Sequence, residues 1–236
     1  MFNIQLWWVL LFALSMAFFE SAMVVYLREI YYPGGFAFPL KIIEGHIVVT
    51  ELLREAFSLL MIVSVAVLAG KTALQRFGYF LMIFAVWDIF YYVFLKLLLD
   101  WPASLLTQDV LFLIPLTWTG PVIAPVINSL MMLVLGWVLV SAVMVRRHAV
   151  VKPLAWVLLI GGSVLVMMAY MQEYMVHMTG QFSLWELFTT PKAPALMEKA
   201  AVFVPNNFPW WLYLLGIAMH LAAIVLTVRQ NSGSHK

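Results

Sequence analysis

The chain has 236 residues, of which 65% are hydrophobic and only 10% charged, with a formal net charge of +2. A soluble globular domain carries about 25% charged residues, so this composition excludes a water-soluble fold and makes lipid the solvent of most side chains. The near-neutral balance, without a basic cluster, gives no sign of a nucleic-acid partner. The absence of cysteine removes disulfides, thiolate metal sites and cysteine nucleophiles.

A membrane-crossing helix needs about 20 mainly apolar residues. The first such run, 4–27, lacks the basic leader of a signal peptide and reads as a retained span. Tyr31-Tyr32-Pro33-Gly34-Gly35 ends it with a turn and interfacial aromatics. Spans two and three follow at 42–69 and 77–99. Residues 100–120 then hold an apolar stretch from Val110 to Trp118, interrupted by Pro115 and too short to cross, which reads as a re-entrant or interfacial segment. Span four covers 121–145 with Pro121 and Pro125 in its first turns. Spans five and six cover 153–178 and 209–228, each opened by proline, which the unpaired amides of a helix start tolerate. Between them, 179–208 contains the capping-box pattern Ser183-Leu-Trp-Glu186 and a second short surface helix from Lys192 to Phe203. The sum is an all-α polytopic transmembrane helix bundle of six spans in one integral membrane domain, 1–236. A seven-span alternative requires residues 110–119 to be absorbed into span four.

Charge orients the bundle. The connections after spans two and four and the C-terminal tail carry Lys71, Arg76, Arg146, Arg147, Lys152, Arg229 and Lys236 without one acid. The other side carries Arg28, Lys41, Lys96, Lys192 and Lys199, mixed with many acids. By the positive-inside rule both termini are cytoplasmic, and the chain is a multi-pass protein of the cell membrane.

Ionisable groups inside a bilayer cost several kcal/mol and mark function or tight pairing. At about 1.5 Å per residue, Glu20, Glu51, Glu55 and Glu173 stand about 20 to 30 Å above the cytoplasmic end, with His46 and His177 at about 35 Å and Asp88 at about 17 Å. Helical phase puts Glu44, Glu51, Glu55 and Ser58 on one stripe of span two, and Tyr170, Glu173 and His177 on one stripe of span five. Asp88, Tyr92 and Lys96 share a side of span three. Glu20 shares its face with Ala13 and Ala17. Span six carries a small, polar stripe of Tyr213, Gly216, His220, Ala223 and Thr227. All five faces should point inward, forming a polar cluster toward the non-cytoplasmic side.

Three chemistries fit such a cluster. In the first, Glu20, Glu51, Glu55, Glu173 and His177 ligate iron, manganese or zinc in a metal-dependent enzyme acting on a lipid or quinone-like substrate, an oxidoreductase for the latter. Asp88, Tyr92 and Lys96 then support catalysis behind the ligands. The two i,i+4 pairs, Glu51/Glu55 and Glu173/His177, present donors from adjacent turns, and the excess of acids over Arg54 and Lys96 calls for protons or a cation. In the second, His46 and His177 are axial ligands of a b-type haem or flank a quinone. In the third, the acids pair with Arg54 or Lys96 and fix a non-catalytic subunit among other membrane subunits of a respiratory or photosynthetic complex. The methionines Met168, Met171, Met175 and Met178 read as packing, and His148 and His235 as solvated.

The orientation is directly testable because the chain has no native cysteine. Single cysteines at Ser104 and Gln181 are expected to react with a membrane-impermeant maleimide in intact cells. Cysteines at Thr72 and Ser234 should react only after permeabilisation.

Overall fold

The structure, a computed structural model, describes residues 4–41, 43–146, 150–189 and 194–232. Arg147, Lys192 and Lys236 of the charge count, and His148 and His235, lie outside these residues. Eight helices and one two-stranded sheet are seen among the described residues: α1 Ile4–Tyr31, α2 Gly45–Ala69, α3 Ala73–Leu99, β1 Gln108–Phe112, β2 Trp118–Pro121, α4 Ile123–Arg146, α5 Pro153–Thr179, α6 Leu184–Thr189, α7 Pro194–Ala201 and α8 Trp210–Ser232. Six of them are long and apolar enough to cross a membrane. The protein is therefore a multi-pass integral membrane protein, and the outward faces of its helices carry Trp7, Phe19, Phe57, Leu68 and Val176 as an apolar coat.

Helix ends differ from the expected spans by a few residues because helices continue past the apolar stretch. Helix α1 runs on to Tyr31 and so carries Arg28 in its last turn. Helix α3 begins at Ala73, where the Thr72 hydroxyl caps it by accepting from the Gln75 amide at 3.2 Å. The expected capping box forms: the Ser183 amide and hydroxyl donate to Glu186 Oε2 at 2.7 and 2.8 Å, and the Glu186 amide donates back to Ser183 Oγ at 3.3 Å. Helix α7 supplies the second short helix.

The segment from Val110 to Trp118, expected as a re-entrant or interfacial segment, is built as an antiparallel hairpin. Gln108 pairs with Pro121, Asp109 with Gly120, Val110 with Thr119 and Phe112 with Trp118, with an irregularity between Val110 and Phe112. The reason is local. Pro115 forbids a helix through the segment, and Val110 and Phe112 are residues that favour strands. Amides of Val122 and Ile123 donate to the carbonyls of Thr107 and Leu105 at 3.0 and 2.8 Å, closing the hairpin's base.

Packing runs in a chain. Helix α3 lies against α1, α2 and α4, while α8 joins α4 to α5. One core joins α1, α2 and α3 through Ala13, Ala17, Ile62, Tyr79 and Ile83. Another joins α3, α4 and α8 through Leu81, Leu135, Leu139 and Ile224. Met171 and Met178, with Met175 beside them, pack on Leu187, Leu196 and Phe203 of the long connection. The stripe on α8 does face inward, with Tyr213, Ala223 and Thr227 fully buried. Among the described residues α2 and α5 form no packed helix pair. The hairpin bridges them instead, with Trp118 stacked on Tyr170 of α5 at 5.7 Å between ring centroids and the Leu113 amide bonded to Glu55 of α2.

Two glycine pairs set the closest crossings. A Cβ on Gly136 would stand 2.6 Å from the Gly78 carbonyl oxygen, and one on Gly216 would stand 2.8 Å from that of Gly162. These are backbone approaches that only glycine permits. A Cβ on Gly161 would meet only the end of Met219, at 2.7 Å. Gly162→Ala is therefore expected to lower the melting temperature in detergent by several degrees, while the adjacent Gly161→Ala stays near wild type.

Candidate functional site

The polar residues gather at the end of the bundle that carries the three long connections, around a cavity of about 620 Å³. Each wall has a local cause. On α1, the fully buried Ala13 and Ala17 let the helix approach α3 closely, and Ser21 Oγ donates to the Tyr91 carbonyl of α3 at 3.2 Å. That register carries Glu20 into the cavity wall. On α2, one turn and its neighbour present Glu51, Arg54 and Glu55 together. Helix α3 contributes Phe84, Trp87, Asp88, Tyr91 and Tyr92, the hairpin adds Asp109 and the run Val110 to Thr117, and Tyr174 of α5, Leu187 of α6, Leu196 of α7 and the connection after α1 line the rest.

Arg54 is the electrostatic centre. Its Nη1 lies 2.8 Å from Glu20 Oε1 and its Nε donates to Glu51 Oε2 at 2.8 Å, all three side chains being less than one-fifth exposed. One guanidinium thus joins α1 to α2. Glu55, 6% exposed, accepts from the Leu113 amide at 3.0 Å. Asp88 accepts from the Ser129 hydroxyl of α4 at 2.8 Å.

A second charged pair closes one side. Arg28 is stacked over the rings of Phe36 and Trp101, at 4.4 and 3.8 Å from their centroids, and its Nη2 lies 3.3 Å from Asp109 Oδ1. The Tyr92 hydroxyl donates to Asp109 Oδ2 at 3.3 Å. Asp109 sits on β1, outside the spanning helices, and burial pushes its carboxyl up to about 6 against the opposing pull of the Arg28 guanidinium.

The structure brings together Glu20, Glu51, Glu55, Asp88 and Tyr92 of the expected residues, all of them lining the one cavity. It leaves the others elsewhere. Glu173 accepts the backbone amides of Asn206 and Asn207, and His177 Nε2 bonds the Lys199 carbonyl at 2.9 Å with its ring against Phe203. Glu173 therefore tethers the connection between α7 and α8 to α5, and His177 tethers the last turn of α7. Equal height and inward phase could not show that α5 stands on the far side of the hairpin from α2. His46 is exposed beside Glu44, at 3.3 Å. It borders neither the cavity nor the small recess that Glu173 and His177 line, so the two imidazoles of the haem reading share no enclosed space there. Lys96 turns back to Asp100, 2.6 Å from its carboxylate, and to the carbonyls of Asp100 and Pro102. A cation at a helix end is drawn to the unpaired carbonyls there, which removes Lys96 from the site.

Among the described residues no group of three or more His, Asp or Glu is placed to hold a metal ion. Arg54 occupies the position between Glu20 and Glu51 and supplies there the positive charge expected of a metal. The sequence reading missed Arg28 and Asp109. Arg28 lies two steps of four beyond Glu20 on one face of α1, a signal lost when the span was ended at residue 27. For Asp109 the sequence carries no comparable signal, since Val110, Leu111 and Phe112 follow it without alternation.

Comparison of the chain with protein families, curated proteins and solved structures finds no match. The class that fold and cavity define is an integral membrane bundle of six long apolar helices with a largely apolar cavity that carries a few acids and is enclosed partly by a non-helical hairpin.

Arg54→Met, which leaves Glu20 and Glu51 without their cation, is expected to destabilise the protein by about 3–5 kcal/mol. Adding Glu20→Gln and Glu51→Gln should recover most of that loss, read as thermal unfolding in detergent. Asp109 gives a pH dependence of defined sign. Its folded value of about 6 lies above the ordinary 3.8, so the folded state binds the proton more tightly. Its contribution to stability is full at low pH and is lost as pH rises through about 6; Asp109→Asn should abolish that slope.

Proposed function

We propose that this protein binds an amphipathic small molecule, a lipid or quinone-like compound, in the cavity between α1, α2, α3 and the hairpin. Its carboxyl groups would serve as proton donors and acceptors to the polar end of that molecule. The observation that carries this reading is the cavity itself: about 620 Å³, the size of a small-molecule site, with an apolar lining from Val48, Leu52, Phe84 and Leu111 beside Glu55 and Asp88. A void of that kind in a well-packed bundle is costly unless something fills it. Apolar walls with a few converging polar groups are the usual design of such sites.

On the charge bias of the connections, the cavity lies in the outer half of the bilayer. Its occupant enters from the lipid between α2 and α5, where the hairpin rather than a helix seam forms the boundary. Glu55 and Asp88 are the acid–base candidates because neither has an ion-pair partner among the described residues. Glu20 and Glu51, held by Arg54, position α1 against α2. A metal has no part in this reading.

A lipid-soluble carbodiimide tests it. Modification of Glu55 and Asp88, located by peptide mass spectrometry, should be several-fold faster with the apolar reagent than with its water-soluble counterpart. Faster reaction with the water-soluble reagent would mean that the cavity opens to water and contradict a lipid-phase occupant.

A further inference from the structure

We propose that the polar end of the cavity's ligand is an ammonium group, so that the protein selects amine-bearing amphiphiles over neutral or anionic ones of equal chain length. The inference rests on the reading of the cavity as an amphiphile site and specifies the chemistry of the occupant's head.

The argument begins with the charges on the cavity wall. Five acids line it, Glu20, Glu51, Glu55, Asp88 and Asp109, against Arg28 and Arg54, with Lys41 at the connecting loop. Both guanidinium groups already face carboxylates, although Arg28 Nη1 is buried without a hydrogen-bond partner. Arg28 is spent on Asp109 and the faces of Phe36 and Trp101, and Arg54 is shared between Glu20 and Glu51. Glu55 and Asp88 are left with neutral donors only, the Leu113 amide and the Ser129 hydroxyl.

Glu55 supplies a second, independent observation. It is 6% exposed, its Oε2 is held by the hairpin, and its Oε1 takes no hydrogen bond among the described residues although the side chain lines the cavity. A carboxyl so enclosed, with one oxygen unsatisfied, calls for a donor from whatever fills the space. An ammonium provides up to three N–H donors and the missing positive charge together. The rings of Trp87 and Tyr91 on the same wall suit it further, since aromatic faces attract a desolvated cation. A bare metal ion does not fit, because no group of three ligands is assembled among the described residues. At Glu55 and Asp88, which have no ion-pair partner among the described residues, an anionic head would meet like charge.

The test uses the full chain in phosphatidylcholine nanodiscs, titrated calorimetrically with dodecylamine, dodecanol and dodecanoic acid, with empty nanodiscs subtracted. The expected result is saturable binding of one dodecylamine per chain, at a Kd at least about tenfold below that of dodecanol, the difference that one charge-assisted hydrogen bond supplies. Glu55→Gln and Asp88→Asn should each raise the amine's Kd about tenfold more than they raise the alcohol's. Glu173→Gln, which lies outside the cavity, should keep the wild-type Kd. Dodecanol or dodecanoic acid binding as tightly as the amine overturns the ammonium assignment and leaves the amphiphile site standing. Saturable binding of none of the three overturns both. Because the comparison among ligands is made on the wild-type protein, it does not depend on any variant folding.

Discussion

The guanidinium of Arg54, held between Glu20 on one helix and Glu51 on its own, is the contact on which the polar end of this bundle depends. Carboxylates cannot be left bare in an apolar interior, and two helices that each carry one would otherwise separate or take up protons. A single planar cation with donors on two edges solves both problems at once. With α1 and α2 thus joined, their remaining polar side chains, Glu55 above all, are left facing a space rather than a seam.

That space persists because of the second constraint, which falls on the hairpin. Backbone polar groups of a buried non-helical segment must all find partners. Here the strands pair with each other and the exposed amide of Leu113 finds Glu55. Asp109 is buried with Arg28 and Tyr92, and Trp118 lies flat on Tyr170. The hairpin therefore stands in for a helix between α2 and α5, and, being thinner than a helix, it leaves room behind it. The glycine crossings of α3 with α4 and α5 with α8 draw the rest of the bundle tight, so the volume is concentrated at one end.

Much of this was legible in the sequence. Apolar length alone located all six long helices, since their number and order follow from a requirement of about 20 residues each. Helical phase correctly grouped Glu51 with Glu55 and turned Glu20 and Asp88 inward. It failed for Glu173, His177 and Lys96, because height and phase are properties of one helix and say nothing of which helices are neighbours. Glu173 and His177 proved to be tethers for a long loop, and Lys96 a partner of its own helix end. The hairpin was hidden for a different reason: within an apolar stretch no alternation marks the strand, and one polar residue, Asp109, is too little to register beside a membrane-helix signal. With the hairpin went the Arg28–Asp109 pair.

The most direct measurement of the central claim is an experimental structure of the chain in a lipid bilayer, without added ligand, at a resolution that shows side chains. The account predicts an open cavity holding elongated density from a lipid-phase molecule, its polar end at Glu55 and Asp88, with Arg54 between Glu20 and Glu51. A cavity closed by inward movement of the hairpin, with Glu55 and Asp88 satisfied by cations of the protein itself, would contradict it.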